Sequence, residues 1–250
     1  KLVAGIRARG ARVVILNHPR WPEEGKDPLT KFGFDERTGL NAAGQEFTFD
    51  AIEVVNSDAP TSPPDKVLPA WYALLERGLR FTAVGSSDSH AVGVIVGQGR
   101  TYVPSATDDP AAIDVDAACR AFLEGRVTVS LGIFATLSVE GQGMGETFAT
   151  EAAEVEATVD LRYPSWITPR VIELVVNGKV AASVPIDATP AGASDEDGPT
   201  RRLRRVRLAL PRPDSWIVAV VRGERVTAPF WAMSLPQAMA ITNPVFVQKR

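Results

Sequence analysis

Only two histidines occur in the 250-residue chain, His18 and His90, and each follows a strand-like apolar run. His18 comes after RVVIL in Asn17-His18-Pro19, Glu53 lies inside AIEVVN, and Asp88-Ser89-His90 follows FTAVGSS. Glu53 is 35 residues beyond His18, and Asp88 is 35 beyond Glu53. One strand–loop–helix unit of a β/α barrel is about that long, because roughly 250 residues make eight. The equal spacing therefore places these side chains at equivalent ends of successive strands, converging on a C-terminal mouth. An imidazole and carboxylates meeting there are suitable ligands for a borderline or hard divalent cation. In Asp88-x-His90 the two side chains point together if the strand is still extended, since alternate residues share a face. Arg20, two residues after His18, and Arg100 in GQGRTYV are candidates to meet an anionic substrate group with bidentate geometry.

Each signal also has a purely structural reading. His-Pro after a strand makes a turn, and Glu53 in an apolar strand can serve to pair an arginine. Asp88 in a serine-rich loop can cap a helix, and both arginines can be solvated charges on a loop. Ser86, Ser87 and Ser89 crowd the acid and the imidazole, but a Ser-His-Asp triad needs a separated, oriented set, which adjacency does not supply.

The elements that would position these residues alternate up to about residue 130. Residues 2–9 read as an amphipathic helix with Gly10 as its C-cap, and residues 12–17 as a buried strand. A loop rich in Pro, Gly and charge covers 19–46. Strands are predicted at 49–55 and 81–85, with helices at 66–77, stopped by Gly78, and at 114–124, stopped by Gly125. Strands alternating with helices point to α/β layering. The second half changes character, with short, mostly alternating strands at 135–140, 153–161, 170–176, 203–210 and 216–222 and a closing segment at 241–247. Asn177-Gly178 is a strong hairpin signal, and 187–200 is a polar loop. This half reads as an antiparallel β-sandwich.

Composition narrows the functions available. With 45% hydrophobic and 23% charged residues, the chain can bury a sizeable core, and its net charge of −3 implies no global polyanion-binding field. No uninterrupted apolar run reaches the ~18–20 residues of a membrane span. The single Cys119 forbids an internal disulfide and a thiolate cage for zinc, and its place in DAACRAFL predicts a packed core thiol. Gly97-x-Gly99 lacks the dinucleotide fingerprint. The basic run from Arg201 to Arg207 alternates with apolar residues, as a strand with one wet face does, so nucleic acid is not the expected partner. Trp166, Trp216 and Trp231 are expected to pack, with carbohydrate binding by an exposed pair as the alternative.

The motifs VVILNHPR, FDAIEVVNS, WYALLERGLRFTAVGSSDSH and GQGRTYV, in this order, resemble the last segments of a PHP domain, the metallohydrolases named for polymerase and histidinol phosphatase. The branch most similar is that of the carbaryl-hydrolase-like enzymes. The likeness covers roughly residues 1–130 and, loosely, the tail at 241–247. It implies an α/β fold: the C-terminal portion of a distorted (β/α)7 barrel at 1–130, followed by a β-sandwich-like module at 131–250. It also implies divalent transition metals (zinc, manganese or iron), up to three in the complete site. By similarity His18 and Asp88 would each ligate one ion of a close pair, and His90 would belong to a third position. Glu53 matches a strand-borne acid near the site and ranks below the other three. The family's upstream His-x-His pair, bridging acid and further histidines have no counterpart here. A start at Lys1, midway through a helix–strand unit, fits a downstream part of a longer protein, whose upstream half would complete the site and carry any targeting segment. A sandwich appended to a hydrolase points, by resemblance, to export.

The leading expectation is a metal-dependent hydrolase acting on a small-molecule phosphoester, or another ester, through a metal-activated water. A scaffold protein, with a degenerate barrel and a carbohydrate- or protein-binding sandwich, is the second. A nucleic-acid enzyme is the third, suggested only by the PHP domains that accompany some polymerases.

Overall fold

The computed structural model describes residues 2–20, 25–44, 47–58, 63–187, 200–227, 231, 235 and 237–249. It is a mixed α/β fold in which strand outweighs helix. The first strands, β1 (Ile15–Leu16), β2 (Ala51–Asn56) and β3 (Thr82–Ser86), form a parallel sheet in the order β1-β2-β3. Every residue of β2 is buried, as a central parallel strand requires, so AIEVVN is apolar except for Glu53 and Asn56. The strand expected at 12–17 shortens to two residues, and Ile15 is exposed rather than buried, because among the described residues β1 pairs with β2 alone and forms an edge. Ahead of it runs the helix α1 (Leu2–Arg7), which buries none of its residues, and Gly10 beyond it takes the left-handed conformation expected of a helix stop. A short helix, α2 (Pro28–Lys31), punctuates the long loop before β2 and is capped by Asp27.

Between β2 and β3 lies α3 (Pro64–Glu76), whose Val67, Leu68, Trp71, Leu74 and Leu75 recur at helical spacing and are all buried. Trp71 donates its indole N–H to the Phe81 carbonyl at 2.8 Å, fixing the helix over the entry to β3. Next come β4 (Gly99–Tyr102), a helical turn at Pro110–Ala112, α4 (Val115–Leu123) capped by Asp114, and β5 (Thr128–Leu131). The sole buried residue of α4 is Ala121, so Cys119 is half-buried in a surface helix and not the core thiol expected.

The remaining strands are antiparallel for the most part: β6 (Phe134–Val139), β7 (Gln142–Gly143), β8 (Thr147–Thr150), β9 (Glu154–Tyr163), β10 (Pro169–Val176), β11 (Lys179–Pro185), β12 (Thr200–Ala209), β13 (Ser215–Arg225), β14 (Gln237–Thr242) and β15 (Val245–Lys249). Positive φ at both Asn177 and Gly178 makes the tight β10–β11 turn that the sequence signalled. Of the polar loop expected at 187–200, residues 188–199 lie outside the described ones. The basic run falls on β12, at the rim of a four-stranded sheet ordered β12-β9-β6-β7, where Arg201 meets Asp160 at 2.7 Å.

The other antiparallel sheet has eight strands, running β11-β10-β13-β14-β5-β4, with β15 joining β13 to β8. It is a wall shared by two cores. From β13, Ile217, Ala219 and Val221 face the four-stranded sheet, whereas Trp216, Val218 and Val220 face α3 and the parallel strands. Period-2 alternation thus buries both faces of one strand, and β13 reads as a continuous apolar run. A border at 130/131 falls inside β5, whose sheet draws β4 from one side of that border and β10, β13 and β14 from the other. Trp216 packs at this junction, with its ring 5.3 Å from that of Tyr72 and its N–H on Glu76 at 2.9 Å. Trp166, partly exposed, stacks on Trp231 at 5.2 Å.

The far edge of β3 is closed by side chains. Asn243 interrupts the predicted closing strand between β14 and β15, and it is fully buried. Its amide accepts from Ala83 N–H at 2.7 Å and donates to the carbonyls of Ala83 at 3.0 Å and Val127 at 2.8 Å. Two residues on, the Thr101 hydroxyl both accepts from Gly85 N–H and donates to its carbonyl, each at 2.8 Å. These bonds satisfy the backbone groups that β3 turns away from β2.

Candidate functional site

Because β1, β2 and β3 run parallel, their C-terminal ends open on one side, and the residues singled out by spacing lie there. Glu53, 2% exposed, is the hub. Its Oε2 accepts the His18 backbone N–H at 2.5 Å and the Asn56 amide at 3.3 Å, and its Oε1 accepts the Ser86 hydroxyl at 2.5 Å. The Asn56 Nδ2 also donates to Asp88 Oδ2 at 3.0 Å, while its Oδ1 accepts from Asp58 N–H at 3.0 Å. Asp88 Oδ1 in turn lies 3.4 Å from His90 Nε2. The imidazole of His90 is largely exposed, and the Asp88 carboxylate is mostly covered. Three strands thus contribute to one connected polar network in an otherwise apolar layer.

Backbone conformation singles out the same place. The described non-glycine residues with positive φ are His18 (36°), Asp88 (51°), Glu140 (49°) and Asn177 (49°). Glu140 and Asn177 each precede a glycine in a tight turn between antiparallel strands. His18 and Asp88 instead follow the parallel strands β1 and β3 that flank β2, and both are tied to β2, one by its backbone N–H and the other by its carboxylate. Non-glycine residues in this region carry strain that only surrounding contacts hold in place. Gly99 packs against this end of β3, where an added Cβ would lie 2.3 Å from the Ser86 carbonyl oxygen. Its N–H is taken by the Ser57 hydroxyl at 3.0 Å.

The pairing of Asp88 with His90 is reached by a route other than the one expected. β3 ends at Ser86, so the two residues do not share the face of an extended strand; the left-handed turn at Asp88 brings them together. No helix follows for Asp88 to cap, since 91–98 form turns that lead into β4. Glu53 reaches His18 through its backbone N–H, so the structure joins these two candidates by a hydrogen bond. Among the described residues, no group of three or more His, Cys, Asp or Glu side chains is placed to hold a metal ion.

The two arginines sit in different settings. Arg20 is drawn toward α2, with Asp27 at 3.6 Å, the Thr30 hydroxyl at 3.4 Å and Glu36 as a closer partner. It thereby neutralises the buried Asp27 that caps α2. Arg100, on β4, holds its guanidinium 5.8 Å from the centre of the Tyr102 ring, and its buried Nε–H has no hydrogen-bond partner among the described residues.

Asn56 was not distinguishable by pattern. Strict alternation puts residues 53 and 56 on opposite faces of a strand. The β2–β3 register shifts between Glu53 and Val55, and this irregularity lets the two side chains meet. The available signal was a second polar residue in an all-buried strand, which must find partners.

No family model matches the chain, and no curated protein matches it either. No helix among the described residues is long and apolar enough to cross a membrane.

Proposed function

We propose that the chain carries part of the site of a metal-dependent hydrolase of the PHP type, acting on phosphoesters. The observation that supports this most is the connected set His18, Glu53, Asn56, Asp88 and His90 at the mouth of three adjacent parallel strands, with two of its members in strained backbone. Ligand sites in open α/β sheets lie at that end. Asp88 Oδ1 and His90 Nε2, 3.4 Å apart, are donor types that suit zinc, manganese or iron, and His18 supplies a further imidazole after β1, on the other side of β2. These residues fit as part of a ligand set, with the other ligands supplied from outside it. A divalent metal, when bound, lowers the pKa of a coordinated water and polarises a substrate oxygen. The chain's own contribution is to fix Asp88 through Asn56, to fix the His18 loop through Glu53, and to leave His90 accessible from solvent.

The test is metal content and hydrolysis. Purified protein that includes the complete ligand set, supplied with Mn²⁺ or Zn²⁺, should retain metal after dialysis and hydrolyse p-nitrophenyl phosphate in a chelator-sensitive way. Both properties should fall in His18→Ala and Asp88→Ala. Wild-type protein that retains no metal and shows no chelator-sensitive hydrolysis overturns the reading. A scaffold role draws on one observation, the lack of a three-donor group among the described residues. Binding of a glycan or protein partner by wild-type protein that fails both metal assays would favour that role.

A further inference from the structure

We propose that Glu53 and Asn56 are a positioning pair, not metal ligands: from the buried central strand they hold His18 and Asp88 in the backbone conformations that aim the site. The proposal rests on reading Asp88 and His90 as ligands, and it assigns Glu53 a different role from the one its residue type suggests.

The argument is an inventory of donors and acceptors. A carboxylate offers about four acceptor positions. Glu53 uses three of them on His18 N–H, the Asn56 amide and the Ser86 hydroxyl, all inside the protein. Asn56, 4% exposed, is fully committed, because its two amide hydrogens go to the two carboxylates and its oxygen takes Asp58 N–H. A flipped amide would set its oxygen against both carboxylates, so the network admits one orientation only. A neutral double donor between Glu53 and Asp88 also keeps the two acids from facing one another directly, and unlike a lysine or arginine it leaves their charge in place. Asp88 Oδ2 is the oxygen spent on Asn56, and Oδ1 is the one turned to His90.

The bonds to His18 and Asp88 end on the two positive-φ residues that follow the parallel strands. Each strained residue is therefore held from β2, a strand buried along its whole length. Outer residues of this kind orient ligands, and their loss typically weakens metal binding by roughly 10–100-fold.

The chemistry of Ser86 makes the roles separable. In Glu53→Gln the side-chain oxygen can still accept from His18 N–H and Asn56, and the new NH₂ can donate to a Ser86 hydroxyl that turns to accept. A positioning residue therefore survives the change to Gln, and a carboxylate ligand does not. The experiment measures Mn²⁺ affinity of the full chain by titration, beside crystal structures of the variants. Glu53→Ala and Asn56→Ala should each weaken Mn²⁺ binding by roughly 10–100-fold, and Glu53→Gln should recover at least a tenfold part of the Glu53→Ala loss. In the Asn56→Ala structure Asp88 should leave the left-handed region and its carboxylate should part from His90. Asn56→Ser, which keeps a short donor, replaces the alanine variant if that one does not fold. Glu53→Gln as damaging as Glu53→Ala would make Glu53 a ligand and overturn the proposal. So would an Asn56 variant in which Asp88 and His90 stay where they are. Wild-type protein that binds no Mn²⁺ would count against the metal-hydrolase reading, and the crystallographic arm would still decide whether the pair holds the two loops.

Discussion

Two buried asparagines do opposite work in this molecule. Among the described residues Asn243 bonds only to backbone, on Ala83 and Val127, and stands in for a strand along the edge of β3. Asn56 donates only to carboxylates, on Glu53 and Asp88. Both amides are fully used, and both residues are buried, Asn56 at the end of β2 and Asn243 against the far edge of β3. The difference lies in what they hold. A side chain that closes backbone groups adds to the fold and to nothing else. One that spends its donors on two acids at strand ends maintains an arrangement the fold does not need, because an apolar residue in β2 with no acids to serve would pack as well.

The comparison can be broken by measuring the two sites separately. Asn243→Ala leaves the Ala83 N–H, the Ala83 carbonyl and the Val127 carbonyl buried without that partner. At about 1–3 kcal/mol for each unsatisfied group, urea unfolding should show a loss of about 3 kcal/mol or more. Metal retention by the folded fraction should be unaffected. If Asn243→Ala cost under 1 kcal/mol, its role as a strand substitute would be lost. Next in size is Asn56→Asp, which is isosteric but replaces the shared donor by a third carboxylate facing Glu53 and Asp88. A loss of about 2 kcal/mol at neutral pH is expected from the missing charge-directed hydrogen bonds. A loss under about 0.5 kcal/mol would mean that the network tolerates the added carboxylate.

How far the sequence reveals these two sites differs for a physical reason. Apolar periodicity locates α3, the strands β2 and β3 and most of the later strands, because burial of one face imposes a period on the residues that line it. The equal 35-residue spacing leads to three adjacent parallel strands, with His18 and Asp88 just beyond β1 and β3 but Glu53 inside β2. Asn56 escapes because the register irregularity beside Glu53 breaks the alternation that pattern reading relies on. Asn243 escapes for another reason: it lies 160 residues from Ala83 along the chain, and no local pattern encodes a partner that distant. The shared wall is hidden in the same way. A strand buried on both faces, such as β13, reads like any apolar run, and which two cores it divides is decided by topology.

A smaller effect tests whether charge, as distinct from burial, stabilises the junction of α3 with the wall. Arg222 reaches Asp65 of α3 at 2.7 Å and Glu173 of β10 at 2.8 Å, and hydrogen bonds to these acids hold its guanidinium pKa above the usual value despite desolvation. Arg222 is partly covered, whereas Asp65 is largely solvated, so screening removes much of the Coulomb gain. Arg222→Met keeps the aliphatic stem and should cost about 1 kcal/mol, less in high salt. A cost equal to that of Asn243→Ala would show that ion pairs and not side-chain closure of β3 hold the two cores together.

The smallest effect comes from the pair that joins the segment after α1 to α4. Arg12 and Asp116 are both exposed at the surface, and the guanidinium holds the Asp116 carboxyl below its usual range near 3.8 by hydrogen bonding first and by charge second. The sign follows from that direction. A carboxyl with a lowered folded-state pKa contributes at pH values above 3.8 and loses its contribution as the pH falls through its folded value. Asp116→Asn should therefore leave the melting temperature at pH 7 and 0.15 M salt within experimental error, and any small difference from wild type should disappear under acid. A clear drop at neutral pH would show that an exposed contact can match a buried amide here, and the contrast between Asn243 and the surface would fail at its weakest point.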